Sequence, residues 1–150
     1  METVKIRCKD LMVGDYIANR NGSPMQIVAV DEDNAYAWTG NEERPWIFGD
    51  NEGYEPQPIV LTPEILEKNG FNDSYTKRYY KRFYSNGCFD IAISLVYREI
   101  EVSKVCGAGT DCEEEEYGSA IAFGNDICVH TLQHTLRLCG LNELADNFKV

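Results

Sequence analysis

The chain is short of positive charge, of histidine and of long apolar runs. Its 150 residues carry 14 Lys and Arg against 25 Asp and Glu, a formal net charge of −11. Nonspecific binding to nucleic acid or to anionic membrane needs a basic footprint, so this balance argues against both. No stretch approaches the roughly 20 apolar residues that span a bilayer. The first ten residues alternate charged and apolar side chains, where an export signal needs a continuous apolar core. A cytoplasmic protein is expected, with its six cysteines (Cys8, Cys88, Cys106, Cys112, Cys128 and Cys139) as thiols. Cys88, Cys128 and Cys139 sit among apolar residues and read as small core side chains. There is no Gly-rich phosphate loop and no Gly-x-Ser-x-Gly. No cofactor and no enzymatic activity are therefore expected.

What is present is ordinary globular material. Hydrophobic residues make up 43% and aromatics 11%, enough for one domain or two very small ones packed together. Residues 1–60 read as short strands. Thr3 to Cys8 alternates, with Val4, Ile6 and Cys8 on one face. Gly14 allows a turn into a strand over Asp15–Asn19. Asn21-Gly22 is a hairpin signal before the strand Pro24–Val30. Asp31 to Asn34 is a second turn before the strand Ala35–Thr39. This spacing of strands and turns predicts a small, strongly bent barrel of SH3-like architecture, one that hosts many functions.

Residues 61–71 predict a connector helix with both ends marked. Thr62 caps the start, Pro63 fits the first helical position, and Asn69-Gly70 provides a left-handed exit. From residue 72 a second run of strands forms an antiparallel β-meander. It includes Tyr75–Tyr84, an Asn86-Gly87 turn, a strand from Phe89, another over Tyr97–Lys104 and a return over Tyr117–Phe123. Val129, Leu132, Leu136 and Cys139 then recur at helical spacing. Asn142 is placed to cap a last short helix, Glu143 to Asn147. The expected fold class is thus α+β. Its parts are an N-terminal SH3-like barrel (1–60), a connector helix (61–71), and a meander with a C-terminal helix (72–150).

Candidate functional residues fall in three places. Segment 31–55 holds eight acids and one base, together with Trp46, Phe48 and Tyr54. With Glu42 and Glu43 these aromatics make a candidate recognition surface, since functional residues gather on loops. Residues 75–84 interleave four bases with five aromatics, the composition of a single-strand-binding surface. Strand alternation splits those bases between two faces, however, so Tyr79 and Arg82 are expected in a protein-contacting sheet. His130 and His134 lie four apart on a helix, a spacing at which two imidazoles share a metal. The residue after the first histidine is Thr131, so the base of the hydrolytic zinc motif is missing. Glu113–Glu116 reads as a solvated charge run.

Leu61 to Phe71, Val129-His130-Thr131-Leu132-Gln133-His134 and Leu11-Met12-Val13-Gly14-Asp15-Tyr16 together resemble a group of short uncharacterised proteins. These come from Bacteroides-type gut bacteria and their prophages or mobile elements. In that group the residue after the first histidine is often acidic or polar. The resemblance implies an origin in phage or mobile elements, not a chemistry. The expected function is a noncatalytic module that binds another protein. The alternatives are an acidic mimic of nucleic acid that inhibits a DNA-binding enzyme, and a metal-dependent enzyme using His130 and His134.

Overall fold

Alternating apolar residues and glycine turns produce two antiparallel sheets. The computed structural model describes residues 6–19, 21–40, 46–49, 56–73, 81–85, 89–104 and 117–150. The chain divides into two units, residues 1–60 with 128–148 and 150, and residues 61–127 with 149.

The first unit holds a four-stranded sheet in the order β1 (Tyr16–Ala18), β2 (Pro24–Val30), β3 (Asn34–Trp38), β4 (Trp46–Gly49). Ile17, Met25, Ile27, Ala35, Ala37 and Phe48 point to one face and are fully buried. Cys8, Leu11 and Ile6 complete that core. The pairings Tyr16–Gln26, Gln26–Trp38, Ala29–Tyr36 and Tyr36–Ile47 place these residues on the opposite face. A bulge between Ile27 and Ala29 keeps both runs in phase, because one extra residue shifts the alternation by one. Two helices belong to this unit, α2 (Val129–Leu138) and α3 (Asn142–Asp146). Gly140, at φ +78°, ends α2; Leu141 N–H reaches the Leu136 carbonyl and Gly140 N–H the Arg137 carbonyl. This is the paired closure that a left-handed residue permits.

The second unit is built on a five-stranded meander in chain order, β5 (Asn72–Asp73), β6 (Lys81–Ser85), β7 (Phe89–Ser94), β8 (Glu99–Lys104), β9 (Tyr117–Ala122). Ile91, Ile93 and Ile100 fill its core with Leu66 and Phe71. The connector helix α1 (Pro63–Lys68) starts as its sequence predicts, with Ile65 N–H donating to Thr62 Oγ1 at 3.2 Å. It closes through Gly70 N–H to the Glu67 carbonyl and Phe71 N–H to the Leu66 carbonyl.

An α+β fold with two antiparallel sheets is therefore present, and four expectations change. Of the expected strand Thr3–Cys8, only residues 6–8 lie within the described residues; Cys8 there opens a 3-10 turn, Cys8–Asp10, while Ile6 and Cys8 are buried as the alternation requires. β4 lies in a segment read as loop, because its alternation spans only four residues. For the first unit the coarser expectation is what is found: β1 to β4 form an antiparallel meander, with no closed barrel among the described residues. The last helix starts at Asn142 itself and has no side-chain cap. The C-terminal helices group with the first sheet and not with the meander, for reasons given by the polar cluster below. Of the expected strand Tyr75–Tyr84, only its end from Lys81 lies within the described residues.

Phe48 tests the assignment of faces. Phe48→Ala is expected to cost about 3–5 kcal/mol in chemical denaturation, as for other buried aromatics. Ile47→Ala, one residue away on the opposite face, is expected within about 0.5 kcal/mol of wild type. Equal effects at the two positions would contradict the alternation.

Candidate functional site

Charged side chains meet at the junction between β1 and α2. Gly14, at φ +96°, turns the chain just before β1 and directs Asp15 inward. The Asp15 side chain is wholly removed from solvent. A buried carboxylate is costly unless its oxygens find donors. Oδ1 accepts from Arg137 Nη1 at 2.6 Å, and Oδ2 accepts from the Met12 N–H at 2.8 Å. His134 Nε2 lies 2.6 Å from Oδ2. A guanidinium and a backbone N–H can only donate; a carboxylate that accepts from His134 as well requires the imidazole proton on Nε2. Arg137 also reaches Asp146 Oδ1 at 3.4 Å. His134 and Arg137 lie three apart on α2, so one helix face supplies both partners.

Gln133 completes the junction. It is fully buried, and all its principal hydrogen-bonding capacity is directed at backbone. Its Oε1 accepts from Tyr16 N–H at 2.8 Å; its Nε2 donates to the Gly14 carbonyl at 2.8 Å and the Ala145 carbonyl at 2.9 Å. One amide thus joins β1, α2 and α3. Gly14 has no room for a side chain: a methyl group there would stand 2.7 Å from Arg137 Nη2. This cluster explains why the C-terminal helices belong to the first unit. Their polar faces satisfy groups that the chain buries at residues 12–16.

His130 lies one turn before His134, with ring centroids 5.9 Å apart in an edge-to-face arrangement. Its Nδ1 is buried and has no hydrogen-bond partner among the described residues. Burial pushes the imidazole below its ordinary value; the charges of Asp15 and Asp10 pull it up, and His134 pushes it down. The two histidines do share a helix face, as their spacing requires. His134 is bonded to Asp15, however, and no group of three or more metal-binding side chains occurs among the described residues.

The expected recognition residues are distributed differently. Trp46, the first residue of β4, is 41% exposed. Phe48 is fully buried in the core and is no part of a surface, because it faces Ala35 across the sheet. Arg82 lies within β6 and is bonded to Glu67 at 2.7 Å. It therefore serves an ion pair with the connector helix and not a row of bases. Glu42, Glu43, Tyr54 and Tyr79 lie outside the described residues, as do Cys88, Cys106, Cys112 and the run Glu113–Glu116. Cys128 and Cys139 are only half-buried, and Cys8 is the buried thiol of the first core.

Other large apolar residues of this sheet are exposed as well. Trp38 is 44% exposed, Ile47 53% and Val28 41%. Trp38 and Ile47 share the outward face with Tyr36 and Ala29, where Ala29, Tyr36 and Ile47 form one cross-strand row. At the β1 end of that face, Gln26 Nε2 donates to the carbonyls of Gly14 and Asp146. At the β3–β4 end, large apolar side chains meet solvent. The signal was available in the outward positions of β3, where Tyr36 and Trp38 stand in place of charged residues. Among the described residues, no helix is long and apolar enough to cross a membrane. No protein-family model, curated protein or solved structure matches the chain.

His130 generates a pH prediction. Its folded-state affinity for a proton is below that of the unfolded chain, so its contribution to stability is complete above the ordinary histidine range and declines as pH falls into it. Between about pH 7.5 and about pH 5.5, wild type is expected to lose stability relative to His130→Leu, in urea titrations at each pH. Parallel stability curves for the two proteins would contradict this.

Proposed function

We propose that the chain is a noncatalytic protein-binding module that docks through the outward face of its first sheet. The exposed Trp38 and Ile47, on neighbouring strands of that face, with the exposed Val28 of β2, carry this reading. Large apolar residues gathered on one solvent-facing surface mark interaction sites, whereas the same residues scattered singly do not. Tryptophan is also among the residue types that dominate binding energy at interfaces. The polar cluster around Asp15 supports a structural role instead. Its carboxylate and the Gln133 amide are committed to internal partners, and their bonds fix the helices that flank the sheet. An SH3-like architecture for this unit belongs to the same reading. It is supported by the bridge in which Ala18 and Gln57 exchange backbone hydrogen bonds, which adds a partner on the free side of β1. The setting would be the phage or mobile-element one that the sequence resemblance implies.

Affinity capture from lysate of the source cells tests this with the full chain. Wild type is expected to retain a defined partner protein, and Trp38→Ser/Ile47→Asp to retain at least about tenfold less, with an unchanged unfolding midpoint. Equal capture by both proteins, or no partner for wild type, would overturn the reading.

A further inference from the structure

We propose that the occupant of this face is a cationic amphipathic polypeptide segment, whose aliphatic side chains cover Trp38 and Ile47 and whose Lys or Arg side chains meet the β2–β3 turn. The inference rests on the docking reading above and adds the chemistry of the partner.

The turn supplies the charge. Asp31, Glu32 and Asp33 are consecutive and exposed at the end of the same hairpin whose strands carry Ala29 and Tyr36. Asp31 is fixed in place: Oδ1 accepts from the Asp33 and Asn34 N–H groups at 3.0 and 2.8 Å, and Oδ2 accepts from the Tyr36 hydroxyl at 3.2 Å. These donors, the Asp33 N–H first, hold its carboxyl below the usual carboxylate range. Tyr36 therefore links the acidic turn directly to the apolar row, because its ring lies between Ala29 and Ile47 while its hydroxyl binds Asp31. Glu32 and Asp33 are exposed acids beside a fixed third one, each three residues from the row in sequence. An apolar centre with a charged rim selects a partner of the opposite rim charge, through on-rate and register more than through raw affinity. The excess of acid over base in the whole chain steers in the same direction.

The protein contains a built-in reporter. Of its two tryptophans, Trp38 lies on this face and is partly exposed, whereas Trp46 pairs with Ala37 on the other face. Covering the face moves the emission of Trp38 to shorter wavelength. Three synthetic peptides of identical length serve as probes, with leucine alternating with lysine, with glutamine or with glutamate. The leucine–lysine peptide is expected to shift the emission saturably, at least about tenfold more tightly than the leucine–glutamine peptide at low salt, with the advantage shrinking as salt is raised. Glu32→Gln/Asp33→Asn removes two charges and leaves the backbone donors of the turn in place; it is expected to weaken the lysine peptide about threefold to tenfold and leave the glutamine peptide unchanged. Equal affinity for the lysine and glutamine peptides, or no effect of Glu32→Gln/Asp33→Asn, would overturn the cationic occupant while leaving an apolar docking face. Equal binding of the lysine peptide to wild type and to Val28→Ser/Ile47→Ser, which keeps both tryptophans, would overturn the docking face as well. Absence of any emission shift with all three peptides would also overturn both.

Discussion

A carboxylate with no access to water organises the first unit. Asp15 is fully buried, and an uncompensated charge there would be strongly destabilising. Its oxygens must be met by donors, and two of the three come from a helix more than a hundred residues further along the chain. Burying Asp15 is therefore possible only when α2 is seated. The apolar side chains of α2 then bury in register with that contact, so the polar pairs specify which surface of the helix faces inward and which stays wet. Gly14 makes the approach possible by leaving space for the guanidinium. Gln133 extends the same logic to three backbone groups with one side chain.

The sheet divides its labour between two faces. Its inward face is apolar and complete, with Phe48, Met25 and Ile17 fully buried. Its outward face is polar and engaged near β1, then apolar and exposed near β3 and β4. The bulge in β2 matters to this division. Without it, the residues after Ile27 would change faces, and Val30, which packs against the core, would turn outward. Trp38 and Ile47 are thus held by a rigid support, which lowers the entropic cost of presenting them to a partner.

Local signals proved the most legible in the sequence. Thr62, Pro63 and Gly70 define a helix by themselves, and the ends of α1 fall where those residues require. The strand Pro24–Val30 is found as read, since a glycine hairpin and a second turn bracket it. Long-range pairings were not legible. Nothing near Asp15 in sequence announces that its partners lie at 134 and 137, and Gln133 reads as a surface residue unless its backbone partners are known. The histidine spacing correctly placed two imidazoles on one helix face, but it could not reveal that a carboxylate already occupies one of them. Phe48 and Trp46 illustrate the same limit. Both are aromatic residues in an acidic segment and pair with inward alanines, Phe48 with Ala35 and Trp46 with Ala37, yet only Phe48 is covered while Trp46, at the start of β4, stays exposed.

The claim that α2 is held to the first sheet by the Asp15 pair is open to direct measurement. A double-mutant cycle of Asp15→Asn, Arg137→Gln and the combined variant, read by urea unfolding, isolates the coupling between these two side chains from their separate effects. The account predicts a coupling of at least about 1 kcal/mol, with the double variant less damaged than the sum of the single ones. Strict additivity of the two substitutions would contradict it.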